Sequence, residues 1–160
     1  MRYSVKVKLV KDDKVWKKMV RNLSKVGSQN AVEVGWWNNT HPTGVPVARV
    51  AFWNEEGHMT TWGAYSPPRP FISLGFMGDV KKSKLSKYVH MVALIAEGKM
   101  SWQTMNKLLA EELVNTMKKN ILDWKLPANR ESTIAIKGHD DVLIHTGTMY
   151  DRVKSRIVRK

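Results

Sequence analysis

The sequence predicts an α+β fold, a small and mostly antiparallel sheet packed against several helices that include a long helical hairpin. Two kinds of spacing carry this expectation. Residues 3–9 and 31–37 alternate apolar and polar side chains, the period of a strand that covers a core on one face. Residues 85–96 and 105–124 instead repeat apolar side chains every three or four positions. The short link at 98–100 makes those two stretches an antiparallel pair.

Taken in order, Tyr3, Val5, Val7 and Leu9 form the inner side of a first strand. Asp12 or Asp13 then caps a helix whose apolar face is Val15, Trp16, Met19, Val20, Leu23 and Val26, with Lys14, Lys17, Lys18, Arg21 and Lys25 on the wet side and Gly27 at its end. Val32, Val34 and Trp36 mark the second strand. A polar loop over 38–45 leads to Pro46, which is tolerated at the first turn of a helix carrying Val47, Val50, Ala51 and Asn54 on one side and stopping at Gly57. Residues 58–80 read as a long loop, because Gly63, Pro67, Pro68, Pro70, Gly75 and Gly78 interrupt any regular element. Leu85, Tyr88, Val89, Val92, Ala93 and Ala96 give the first hairpin helix. Ser101 caps the second, whose stripe runs through Met105, Leu108, Leu109, Leu113, Met117, Ile121 and Trp124 to a close at Pro127. Residues 129–138 fit either a strand or a short helix, Thr146-Gly147 begins a further element, and 153–158 returns as a basic strand. At 160 residues, with neither repeat nor low-complexity run, the chain is expected to be one domain, 1–160.

Composition narrows the function classes. With 42% hydrophobic residues, 7 Trp and 9 Met, there is enough apolar surface to offset the entropy of ordering, so disorder is not expected. The absence of cysteine removes disulfides, thiol nucleophiles and thiolate metal sites, which suits a reducing compartment. No apolar stretch has the length of a signal peptide or a membrane span. The 27 Lys and Arg against 14 Asp and Glu give a net charge of +13, which asks for an acidic partner, nucleic acid first among them. The basic residues are dispersed along the chain, as on a generally basic surface.

Few groupings suggest catalysis. His139, Asp140, Asp141 and His145 have ligand chemistry, but neighbouring side chains diverge in extended backbone, and a loop tip explains them better than a metal. No phosphate-binding glycine loop and no nucleophile elbow is present. Trp36, Trp37, Trp53 and Trp62 have the chemistry to stack on bases, although tryptophan more commonly fills a core or a subunit interface. The prolines at 67, 68 and 70 stiffen their loop. Arg69 and Phe71 are then either presented at low entropic cost as a ring-forming arm or held, through Phe71, to the chain's own core.

Trp53-Asn54-Glu55-Glu56-Gly57-His58, followed by Pro67-Pro68-Arg69-Pro70-Phe71, resembles the virion morphogenesis and tail-completion proteins of tailed bacteriophages. Those proteins share an aromatic helix ending in Glu-x-Gly, a variable loop and Pro-x-Arg-Pro-Phe. A helical hairpin follows, then spaced Asn, Thr and Lys before Leu-Ile-x-Thr-Gly-x-Leu or Met. This chain has Asn129, Thr133 and Lys137, then Leu143-Ile144-His145-Thr146-Gly147-Thr148-Met149. Val142 stands where the family usually has Pro, and His145 where it usually has an acid. The resemblance spans about residues 32–158.

It implies a non-enzymatic structural protein of the virion, without cofactor or metal, forming a homo-oligomeric ring of six or twelve copies at the neck, as a tail-completion or tail-terminator component. The implied partners are the connector or adaptor and tail proteins, with DNA passing through the lumen without sequence-specific binding and no membrane involved. Assembly in the host cytoplasm is implied as well. Trp53, Glu55, Glu56, Pro67, Pro68, Arg69, Pro70 and Phe71 are the candidate interface residues, and Asn129, Thr133, Lys137, Thr146, Gly147 and Met149 the candidate structural motif. A basic nucleic-acid-binding protein is the alternative, and a metal-dependent hydrolase built on Asp140, Asp141 and His145 is a more distant one.

Overall fold

In a computed structural model, which describes residues 13–24, 30–61, 63–78 and 82–159, the fold is α+β. The expected first strand at 3–9 and Trp62 lie outside the described residues. The elements run α1 (Asp13–Ser24), β1 (Asn30–Gly35), α2 (Val47–Glu56), β2 (His58–Met59), β3 (Tyr65–Ser66), α3 (Ser73–Gly78), α4 (Lys82–Glu97), α5 (Trp102–Asp123), α6 (Glu131–Lys137), α7 (Thr148–Asp151) and β4 (Lys154–Arg159). β1 pairs antiparallel with β4, and β2 with β3.

The β1–β4 ribbon joins the second and last expected strands, with Val34 opposite Ser155 and Glu33 opposite Arg156. Glu33 and Arg156 meet at 2.8 Å, and the Arg156 guanidinium also lies 4.5 Å from the ring centre of Trp37. Val34 turns the other way, onto the core. That core gathers Trp36, Val47 and Ala51, Phe71, Met117 and Ile121 of α5, then Val142, Leu143, Met149 and Val153. The indole N–H of Trp36 donates to the Met149 carbonyl at 2.7 Å, so the polar atom of the largest core ring is satisfied.

α4 and α5 form the expected antiparallel hairpin. Ser101 accepts the Thr104 N–H as N-cap, Lys87 pairs with Glu112 at 2.6 Å, and Met91, Ile95 and Met105 make a second, smaller cluster. The covered face of α4 is the expected one in part: Tyr88, Val92 and Ala96 are covered as expected, and Met91 and Ile95 join them. Met91, Ile95 and Ala96 are buried, whereas Val89 and Ala93 face outward. Overlapping stripes share one period, and two neighbours widen the covered face, α5 through Met105 against Met91 and Ile95, and α1 at Ala96.

A related difference affects α1. It rests on α4, where the Asn22 side chain donates to the Ala96 carbonyl at 3.2 Å, and covers a stripe through Met19 and Leu23. Trp16 stays 65% exposed, with Val15 and Val20 also outward: among the described residues α1 packs mainly on α4, and one helix cannot bury a face that wide. Among the described residues no helix is long and apolar enough to cross a membrane.

Of the expected loop 58–80, the described residues hold more regular structure than expected, the β2–β3 hairpin and α3. The open choice at 129–138 resolves as helix α6, closed by Gly138 in the left-handed conformation.

Candidate functional site

The two recognised motifs fold into one region, beginning at the last turn of α2. The Glu55 carboxylate accepts the Ile72 N–H at 2.8 Å and the Ser73 N–H at 2.9 Å, and receives the Ser73 hydroxyl at 2.6 Å. It therefore serves from a distance as the acceptor for donors that open α3. The carbonyl of Asn54 accepts the Arg69 N–H at 2.7 Å. Between these bonds the chain leaves α2 at Gly57 with φ 76° and ψ 160°, where an added Cβ would lie 2.9 Å from Pro68 N, Ser66 O and the Tyr65 hydroxyl. Phe71, with no exposed surface, then seats the segment in the core, its ring 6.4 Å edge-on from that of Trp36.

Of the two roles left open for this loop, the structure takes the second, and it turns the candidate interface residues Arg69 and Phe71 inward. Phe71 anchors the loop, and Arg69 is only 9% exposed, with Nε donating to the Pro127 carbonyl at 3.3 Å. The prolines supply no N–H that such a turn would have to satisfy. Burial holds the Arg69 guanidinium pKa below its usual value. Trp53 and Glu56 stay at the rim: Trp53 stacks on His58 at 5.4 Å and Glu56 is exposed.

Arg69 is also where the second motif meets the first. Lys137, at the end of α6, donates to the carbonyls of Asp141 and Val142, folding the 138–142 turn back over its own helix. Its pKa is lowered, mainly by burial and next by the Arg69 charge, against the pull of Asp141 and Asp140. Asn129 reaches Asp140 at 3.4 Å, and the Thr133 N–H closes the first turn of α6 on Arg130. Thr146 accepts the Thr148 N–H at 3.4 Å, and Gly147 takes φ 73°, which turns Met149 into the core.

What this frame holds outward is the β2–β3 hairpin. Thr60 and Ala64 close its tip, with the Thr60 N–H donating to the Ala64 carbonyl at 2.7 Å and the Ala64 N–H to the Thr60 hydroxyl at 3.1 Å. Met59 and Tyr65 are direct cross-strand partners, hence on one face, and are 64% and 53% exposed. Phe52 on α2 and Leu74 on α3, the helices that flank the hairpin in sequence, are exposed too. Sequence reasoning missed Met59 and Tyr65, because two-residue strands are too short to show alternation. The signal that remained was a glycine at 63 between them, now seen at φ 73°.

The His139 group behaves as a loop tip. His139 Nδ1 accepts the Asp141 N–H at 3.3 Å, Asp141 lies 3.8 Å from Lys125, and among the described residues no three His, Cys, Asp or Glu are placed to hold a metal ion. Of the tryptophans with stacking chemistry, Trp36 is core, Trp37 lies under Arg156 and Trp53 against His58.

The Glu55 contact is open to measurement. Glu55→Gln keeps the shape but weakens the acceptor for three donors, and is expected to cost about 1–2 kcal/mol in urea unfolding. A loss below about 0.3 kcal/mol, the size of an ordinary surface change, would remove Glu55 from the frame. Set against models of known protein families, curated proteins and solved structures, the chain has no significant match among them.

Proposed function

We propose that this chain is a structural virion protein of a tailed bacteriophage that assembles into a ring at the neck, linking connector to tail around the passing DNA. The motif resemblance suggests the setting. The observation that carries the reading is the exposed Met59–Tyr65 pair on a stem fastened by Glu55, Gly57, Arg69 and Phe71. A cyclic assembly needs each subunit to offer two different patches that meet heterologously. A hairpin already ordered in the subunit contributes apolar contact without a large further loss of chain entropy.

The basic composition alone favours a nucleic-acid binder, but many of its cations are engaged within the chain. Arg69 and Lys137 serve backbone carbonyls, Lys87, Lys99, Lys119 and Arg156 pair with carboxylates, and Lys118 covers Tyr150. The ring reading thus predicts weak, shallow salt dependence on free duplex. A dedicated binder of six to ten phosphates would lose about three to five decades of affinity between 50 and 200 mM salt.

The direct test is Met59→Asp with Tyr65→Asp. Both side chains are exposed, so thermal unfolding should move by no more than a few degrees, while light-scattering mass should fall from ring to monomer and incorporation into particles should fail. An unmodified chain absent from particles by electron microscopy, or a double variant that assembles and incorporates normally, would overturn the proposal.

A further inference from the structure

A second feature lies apart from the hairpin and does not depend on the ring. The 41-loop, α2, the end of α6 and residues 142–149 enclose a cleft of about 210 Å³. Its apolar floor includes Val50, Leu143 and Met149, and its polar lining is His41, Asn54, Lys137, His145, Thr146 and Thr148. No Asp or Glu lines it.

The hydrogen bonds along this wall leave a donor over. His41 Nδ1 accepts the Thr43 N–H at 3.3 Å and lies 2.9 Å from the Thr43 hydroxyl, which leaves the neutral ring's proton on Nε2. Nε2 then donates to Thr146 Oγ1 at 3.1 Å, and the Thr146 and Thr148 hydroxyls share one hydrogen bond at 2.8 Å. Two hydroxyl protons meet one bond in that pair, so one of them is left over, and the described residues supply no acceptor for it. Lys137 reaches the same state by another route. Two of its three N–H groups go to the Asp141 and Val142 carbonyls, and the third has no partner among the described residues.

Behind Lys137 stands Arg69, nine-tenths buried, with Nε alone bonded among the described residues. Asp140 and Asp141 act on Lys137 from outside the lining, and Asp141 is shared with Lys125 and His139. The Asp151 carboxylate stands outside the lining too, beside Gly147, so the half-closed space itself presents surplus donors and no Asp or Glu, which suits an acceptor with several lone pairs.

From this geometry we propose that the cleft is a binding site for a small oxyanion of inorganic-phosphate size, held by the Lys137 ammonium, the Thr146–Thr148 hydroxyl pair and the His145 ring. At roughly 30 Å³ per water, the space equals about seven waters, enough for one such ion with part of its hydration and too little for a nucleotide.

The test is calorimetric titration of the intact chain with inorganic phosphate at low ionic strength, followed by His145→Ala, Thr148→Val and, as a charge control on the far half of α5, Lys107→Ala. His145 is exposed and makes no hydrogen bond among the described residues, and valine keeps the shape of Thr148, so both variants should fold and melt as the parent does. Saturable binding at one ion per chain is expected, weakened on the order of tenfold by either cleft variant and unchanged by Lys107→Ala. Competition by sulfate at similar concentration and weaker competition by acetate would mark a tetrahedral oxyanion; the reverse order would overturn that assignment. Absence of saturable binding, or equal weakening by Lys107→Ala and His145→Ala, would overturn the site and leave only diffuse attraction to a basic surface. Neither result bears on the hairpin.

Discussion

Phe71→Ala is expected to destabilise the chain by about 3–5 kcal/mol, the largest effect of any single truncation in the recognised motifs. The ring is fully buried, meets Trp36 edge-on and lies in a cluster with Val47, Met117 and Ile121, so its removal leaves a cavity that helices on several sides cannot close together. For a chain of 160 residues this corresponds to a fall of about 6–20 °C in Tm. The outcome separates the two roles that sequence left open for this residue. A presented arm would lose assembly and keep its Tm, whereas an anchor loses Tm first and assembly as a consequence. If thermal unfolding of Phe71→Ala falls within a degree or two of the parent, Phe71 is not the anchor. The Met59 and Tyr65 substitutions make the opposite pairing, assembly lost with Tm kept, and the two experiments together assign stem and tip independently.

How much of this was legible beforehand depends on the length scale of each signal. The paired helices and α2 were readable because four or more side chains repeat one period, and β1 because Val32, Val34 and Trp36 alternate. Val47 and Ala51 fell on the inside as their spacing requires. How far the covered face of α4 extends was not readable, since overlapping stripes fit one helix and its width lies with its neighbours. The same holds for Trp16, whose apolar surface fits a helix face that the fold covers only in part. Ser132 to Ile136 pointed to strand and helix alike until α6 formed with Lys137 at its end.

The candidate site was half legible. Its residue types and their order were visible, but their division into fixed and presented groups was not. Proline and glycine announce a turn without saying which side chain it buries. The bond from Arg69 to the Pro127 carbonyl, and the mutual repulsion of Arg69 and Lys137, join positions 58 and 68 residues apart that no local pattern connects. Arg69 read as a surface group because arginine usually is one, and the carbonyl that satisfies it belongs to a distant loop.

Gly57→Ala gives the second large effect, and its argument rests on backbone geometry alone. At φ 76° and ψ 160° the residue occupies a region that is essentially glycine's own, with a cost of order 1–3 kcal/mol for any side chain. The added Cβ would also sit 2.9 Å from Pro68 N and Ser66 O, backbone atoms of a segment fixed by Phe71, so relief requires moving the anchor. Together these give an expected loss of about 2–5 kcal/mol. Gly63 supplies the control, with nearly the same φ of 73° but nothing within 4 Å of its would-be Cβ. Gly63→Ala should therefore lose only about 1–2 kcal/mol, from the left-handed conformation itself. Hydrogen exchange would locate the difference. In Gly57→Ala the amides of Arg69, Ile72 and Ser73, which are bonded to Asn54 and Glu55, should lose protection, while those paired across β1 and β4 keep theirs. Equal losses from the two glycine variants would mean that the close approach of Pro68 to the end of α2 contributes nothing, and the stem beneath Met59 and Tyr65 would then have to be fastened by Phe71 and Glu55 without it.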